Sequence, residues 1–240
     1  MNGLIVIFGE SFRYGNQNTR IRGIPESYDE QIKACNSHIT FIEKIKEKYN
    51  CNSISVFIAS YTTQYDADLL KVYEKYTIGN KFYPDVIGFN NLYHKSINEI
   101  ENMEQYDFLL SIRIDIFLKD HFMDIFNPTI NMILFPCITW FWDCHVRNEP
   151  NKNNPRVVDT ILFIPKKYYK YIKDVYLGHE LWDNFIKNTD VTYDDLDVMI
   201  NTYHDSDSSK DFNPLYYIVN RPETTHFHSP GQFFNKYEFK

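Results

Sequence analysis

What the sequence lacks narrows its function before any motif is read. The 240 residues hold only four cysteines, Cys35, Cys51, Cys137 and Cys144, and no two of them make a CxxC pair or a zinc-ligand spacing. In a chain of this length they read as reduced thiols. The longest apolar run, Met132 to Trp142, carries a proline and falls short of the roughly 20 residues that a spanning helix needs. The opening apolar piece, Leu4 to Phe8, is too short for a secretory signal peptide. No Asn-x-Ser/Thr acceptor is open, because Asn127-Pro128-Thr129 is blocked by its proline. Basic excess is missing as well: a net charge of -7 and a pI near 5.6 argue against a nucleic-acid surface. A reducing, cytoplasmic compartment without a transmembrane segment is the expectation.

Apolar and aromatic residues, by contrast, are plentiful. At 43% hydrophobic and 17% aromatic the chain can build a sizeable core. Gly3 to Phe8 reads as a first strand, apolar throughout. It runs into a long polar loop, Gly9 to Gly23, that lacks the GK[ST] of a P-loop and the spacing of GxGxxG. Arg13, Arg20 and Arg22 in that loop suit a phosphate held by forked hydrogen bonds, or else a solvated loop with scattered charge. Ser27-Tyr28-Asp29-Glu30 has the form of a capping box, and Ile32, Cys35, Ile39, Ile42 and Ile45 then predict a helix to about Tyr49. Ile54 to Ala59 is a second strand, ending in Ser60-Tyr61-Thr62-Thr63. Asp66 to Tyr76 is expected to be helical, Phe82 to Phe89 a short edge strand, and Asn91 to Glu104 another helix.

Tyr106 to Leu118, YDFLLSIRIDIFL, has the composition of a strand buried on both faces. Alternation puts Ser111, Arg113 and Asp115 on one face and Ile112, Ile114 and Ile116 on the other. Charges at the carboxyl end of a central strand lie where open α/β sheets bind ligands, although a salt-bridged pair closing the strand would look the same. A short helix through Phe126, a strand from Asn131 to Pro136, the aromatic Thr139 to Asp143 and a surface loop from Asn148 to Pro155 follow. Arg156 to Pro165 is a strand with Asp159 at its entrance. Helices are expected over Lys166 to Tyr176, near Gly178 to Lys187 and over Tyr193 to Tyr203, then a late strand, Leu215 to Val219. The alternation predicts an α/β chain with a mostly parallel central sheet and helices on both faces. Without repeats or a linker, residues 1–240 read as one domain.

This order resembles the GT-A type of glycosyltransferase, with its Rossmann-like nucleotide-binding half. The matching residues are Tyr106-Asp107-Phe108 through Arg113-Ile114-Asp115, an RxD variant of the Asp-x-Asp motif, and Val158-Asp159-Thr160-Ile161-Leu162-Phe163. It is similar to transferases that build surface polysaccharides in bacteria and large DNA viruses. The resemblance implies a nucleotide-binding half over about 1–118 and an acceptor-side half over about 119–240. It implies a UDP- or GDP-linked sugar donor, a glycan or glycoprotein acceptor, and Mn2+ or Mg2+ held by Asp115 with His226. Arg13, Arg20, Thr62, Arg113 and Asp115 would bind the donor, and Asp159 would be the catalytic base, with Glu180 or Asp183 in reserve. Arg113 replaces the first acid of the motif, so one carboxylate either suffices for the metal or leaves the arginine to supply the charge. A capping role for Asp159 and a plain surface role for His226 and His228 stay open. So does a catalytically silent sugar-binding or scaffold protein, which Trp140 and Trp142 would suit equally well. A PD…DxK nuclease fits poorly, because Lys119 lies four residues past Asp115, and a phosphatase would need DxDxT.

Overall fold

Asn2–Gly9 (β1) is buried at every position after its first, as a strand with a helical layer on either side must be. In the computed structural model, which describes residues 1–15, 20–139, 156–157, 160–173, 189–200 and 215–220, the strands after β1 are β2 (Arg13–Tyr14), β3 (Ile21–Arg22), β4 (Ser53–Tyr61), β5 (Thr77–Tyr83) and β6 (Phe108–Arg113). Then come β7 (Ile116–Leu118), β8 (Ile133–Thr139), β9 (Arg156–Val157), β10 (Ile161–Pro165), β11 (Leu196–Ile200) and β12 (Tyr216–Ile218). The helices are α1 (Tyr28–Lys48), α2 (Asp66–Tyr73), α3 (Phe89–Asn98) and α4 (Asp120–Ile125).

The main sheet runs β5-β4-β1-β6-β10-β8-β11, with β9 joined to β8. Only β10 and β9 run against the rest, so the sheet is mostly parallel, as the alternation predicted. Side chains of β1 divide by parity. Ile5 and Ile7 join Phe41, Ile42 and Leu69 under α1 and α2, while Leu4, Val6 and Phe8 join Leu92 and Tyr93 under α3. Helices therefore cover both faces of a Rossmann-like sheet. β5, β4, β1 and β6 stand in the chain order third, second, first, fourth, so the winding reverses between β1 and β6. Open α/β sheets bind their ligands at the carboxyl ends of the strands flanking such a reversal.

Several predicted elements change when packing is taken into account. β6 stops at Arg113, Ile114–Asp115 turns the chain, and β7 leaves to pair with β12 in a separate two-stranded sheet. Of the stretch from Arg156, β9 pairs with β8, and β10 pairs with β6 and β8. The predicted edge strand lies earlier, as β5, and Phe89 opens α3 instead. Gly79-Asn80-Lys81 has little strand propensity of its own, and the pairing with β4 makes it an edge strand. At Gly79 a Cβ would stand 3.0 Å from the Phe57 ring, so glycine lets β5 lie close to β4. The helix expected over Tyr193 to Tyr203 is the strand β11, parallel to β8, in keeping with Leu196, Val198 and Ile200 at a period of two. Lys166–Tyr171 forms a 3-10 segment where a longer helix was expected.

The capping box does not form. Ser27 is buried, and its hydroxyl lies 2.9 Å from Phe12 O and 2.7 Å from Ile24 O, while Glu30 pairs with Lys33 at 2.6 Å. Trp140, Trp142, the Asn148 to Pro155 loop and the helix near Gly178 to Lys187 lie outside the described residues. Among those described, no helix is long and apolar enough to cross a membrane.

Candidate active site

The crevice between β1 and β6 is built from the chain that leaves each strand. Gly9 ends β1 at φ +127°, a conformation that L side chains rarely adopt. Three residues on, Phe12 is fully buried at φ +50°, which costs an aromatic residue roughly 1–2 kcal/mol. Its surroundings hold it there. The Phe12 N–H donates to Gln31 Oε1 at 3.0 Å, and its carbonyl accepts from Gly23 N–H at 2.9 Å and from the Ser27 hydroxyl. The ring stacks on Tyr28 with centroids 5.7 Å apart. This kink turns the expected polar loop into a hairpin, β2 against β3, that carries Arg13 and Arg20 to the crevice.

There Arg13 meets the end of β6. Its Nη2 lies 3.1 Å from Asp115 Oδ2, and its Nη1 lies 3.6 Å from Glu10 Oε2. Arg20 Nη1 donates to Glu10 Oε2 at 2.6 Å. Arg113 grips Asp115 with both prongs of its fork, Nε to Oδ1 and Nη2 to Oδ2, each at 2.7 Å. Of the predicted donor-binding residues, Arg13, Arg20, Arg113 and Asp115 thus come together, around a Glu10 that the sequence reading passed over. Among the described residues, three guanidiniums face two carboxylates here. Asp115 is only 2% exposed. Burial pushes its pKa up, but the Arg113 and Arg13 guanidiniums outweigh that and bring it from 3.8 down to about 2. It is ionised at any ordinary pH.

Thr62 has no described contact with this cluster. It is exposed at the carboxyl end of β4, with its N–H on Tyr83 O at 2.9 Å. The Arg22 guanidinium lies 4.9 Å from the centre of the Tyr61 ring. Asp159 and His226 lie outside the described residues, as do Glu180, Asp183 and His228. Thr160, next to Asp159 in the chain, and the segment Val219–Asn220 do reach the crevice. Arg113 N–H donates to Thr160 O at 2.8 Å, Val219 N–H to Asp115 O at 2.8 Å, and Gly15 N–H to Asn220 O at 3.1 Å.

A polar seam on the inner face of α1 fixes the turn that carries Asp115. Gln31 Nε2 donates to Ile114 O at 2.7 Å, His38 Nε2 to Ile116 O at 2.8 Å, and Ser37 Oγ accepts Leu118 N–H at 3.0 Å. These side chains satisfy the backbone edge of β7 that faces α1, while β12 pairs with the other edge. His38 Nδ1 faces the Tyr73 hydroxyl at 2.6 Å, so Nε2 carries the proton and Tyr73 donates to Nδ1. Burial brings the His38 pKa down to about 4. The sequence carries a signal for this seam. Gln31 and His38 are seven apart on the apolar stripe of α1, where a polar residue needs a buried partner.

A divalent cation does not fit this arrangement. Both Asp115 oxygens are engaged by guanidiniums, and an ion bound there would sit within a few ångströms of two positive charges. Among the described residues no group of three His, Cys, Asp or Glu side chains is placed to hold a metal. The cluster is instead suited to a polyanion, which buried, fixed guanidiniums bind by charge-assisted hydrogen bonds.

No protein-family model matches the chain, and no curated protein matches its sequence. Among solved structures it is similar to HddC from Yersinia pseudotuberculosis, at 11% identity over 92% of this chain and 95% of that one, with a TM-score of 0.46. It is similar to Drosophila β1,4-galactosyltransferase 7, solved with manganese, UDP-Gal and xylobiose, at 11% identity over 91% and 71% of the two chains, with a TM-score of 0.42. A third is a glycosyltransferase involved in glycosylation of the major capsid of PBCV-1, at 9% identity over 82% and 80%, with a TM-score of 0.37. These are distant likenesses of overall architecture.

Proposed function

We propose that this chain is a glycosyltransferase of GT-A type, one domain over residues 1–240, that moves a sugar from a UDP- or GDP-linked donor to a hydroxyl of a glycan or similar acceptor. The observation that carries the reading is the Arg13–Asp115–Arg113 cluster at the carboxyl ends of β1 and β6, where the sheet reverses its winding. In the transfer the bond from the anomeric carbon to the diphosphate oxygen breaks, and its electron pair stays on that oxygen. The acceptor oxygen bonds to the same carbon, and its proton passes to a base. Fixed cations lower the barrier because negative charge grows on the departing diphosphate. Arg13, Arg20 and Arg113 take that role in the proposal, with Thr62 at the border of the donor site.

For the base we propose Asp159, which immediately precedes the Thr160 whose carbonyl holds Arg113 N–H. Asp159→Asn is expected to slow turnover about 10²–10⁴-fold and to spare donor affinity, read by a coupled assay of nucleotide release. Manganese or magnesium, with His226 as its further ligand, belongs to the family resemblance, and the engaged state of Asp115 speaks against it here. That same engagement favours a second reading, a catalytically silent sugar-binding protein that keeps the fold. A thermal-shift screen against nucleotide sugars tests the first claim: at a hundred times its dissociation constant a donor stabilises the fold by about 2.7 kcal/mol. Donor binding without any donor hydrolysis or transfer would select the silent reading, and no shift with any nucleotide sugar would reject the transferase.

A further inference from the structure

The fork of Arg113 on Asp115 occupies the place where a metal-binding motif would present its carboxylates. Asp115 lies behind, with 3% of its side chain exposed, while Arg113 and Arg13 keep 11% and 12% and Arg20 keeps 36%. Glu10 keeps 10%, so the described face of the crevice carries three guanidiniums and one carboxylate, and Asp115 is the backing that orients Arg113 and Arg13. Arg13 also has a buried Nε with no hydrogen-bond partner, although its terminal nitrogens are paired. The Arg13 and Arg113 guanidiniums are each held by a carboxylate, and the backbone beside each, at Phe12 and Ile114, is tied to α1, so little ordering would remain when an anion arrives.

Building on the nucleotide-sugar reading, we propose that Arg113 and Arg13 bind the donor's diphosphate in place of a divalent metal, and that Asp115 is a positioning residue for the two guanidiniums. The departing diphosphate oxygen then takes the electron pair of the broken glycosidic bond against guanidinium charge. Arginine suits this work because its planar fork meets two phosphate oxygens at once and keeps its charge at every working pH.

Calorimetry with UDP and with GDP, each in EDTA and in manganese, tests the proposal on the intact chain. The expected result is binding of one nucleotide with the same affinity, within about twofold, in both buffers. Binding that appears only with manganese overturns the metal-free grip and leaves nucleotide recognition standing. No binding of either nucleotide in either buffer overturns nucleotide recognition itself, and this proposal with it. Arg113→Lys keeps the charge facing Asp115 but removes the fork. It is expected to weaken nucleotide binding about 10- to 100-fold in EDTA while leaving the melting temperature within a few degrees. Unchanged affinity in a folded Arg113→Lys protein, or full recovery of that affinity on adding manganese, would remove Arg113 from the diphosphate site. The role of Asp115 is read in Asp115→Glu, which keeps the charge and shifts it by one methylene. Its nucleotide affinity should fall with no gain of manganese dependence, whereas a new manganese requirement would make residue 115 a metal ligand.

Discussion

At the scale of single residues, Asp115 is held charged and His38 neutral, and both contribute stability that is lost as pH falls, in different windows. Asp115 is a buried carboxylate between two guanidiniums, and removing its charge leaves those cations uncompensated. Asp115→Asn is expected to cost about 3–5 kcal/mol, seen as a melting temperature lower by roughly 10 °C. A diphosphate would restore negative charge to the cluster, so added UDP or GDP should recover part of that loss. A melting temperature unchanged from wild type would show that the carboxylate does not balance the arginines. With a folded pKa of about 2 against an ordinary 3.8, the stability Asp115 contributes is fully present above about pH 4 and is lost as pH falls toward 2. His38 acts in a higher window. Its folded pKa of about 4 lies below the ordinary 6.5, so between these values the unfolded chain binds the proton first. Stability should fall by about 3 kcal/mol as pH drops from 6.5 to 4. His38→Gln can still donate to Ile116 O, and urea melts of this variant at several pH values should lack that slope.

At the scale of elements, α1 does more than cover the sheet. Acidic Asp29 and Glu30 in its first turn and Lys46 and Lys48 in its last agree with the helix dipole, and Phe41, Ile42 and Ile45 lie in the core. Gln31 links two elements that are remote in sequence, the kink at Phe12 and the turn at Ile114. Gln31→Leu would leave the Phe12 N–H and the Ile114 carbonyl buried without partners. The expected cost is about 1–3 kcal/mol for each group in urea melts, with nucleotide affinity falling as the hairpin and the turn lose their common support. Gln31→Glu keeps an acceptor for Phe12 and loses the donor to Ile114, so it should separate the two halves of the effect. A Gln31→Leu protein as stable as wild type would mean that water replaces the side chain at both ends.

For the whole molecule, the two cysteines whose burial is described serve as reporters. Cys35 is fully buried against α2, and burial pushes its thiol pKa up to about 11; Cys51 is also buried, and its pKa is raised for the same reason. Neither thiolate is available in the native state. Alkylation at Cys35, located by peptide mass, is therefore expected to require opening of α1 from the sheet. A nucleotide that binds only the native fold should slow that labelling by up to about 100-fold at a hundred times its dissociation constant. Rapid Cys35 labelling in the absence of denaturant would show that α1 opens without global unfolding.

The sequence by itself determined the strands β1, β4 and β6, the long helix between the first two, and a parallel sheet covered on both faces. The reason is local: a residue's avoidance of water is written in its own type, and the period of apolar residues tells strand from helix. It also placed Arg13, Arg113 and Asp115 beside strand ends. Only the tertiary structure decided that they meet. Glu10 and Asp115 are far apart in the chain, and they share three arginines because β1 and β6 lie side by side and Phe12 turns the hairpin back over them. The same limit explains β5 and β11, whose pairing depends on a neighbouring strand that no local pattern names. It explains the seam of Gln31, Ser37 and His38 as well. A polar side chain on an apolar stripe becomes intelligible only when the backbone group it satisfies has been brought to it by the folding of residues about eighty positions away.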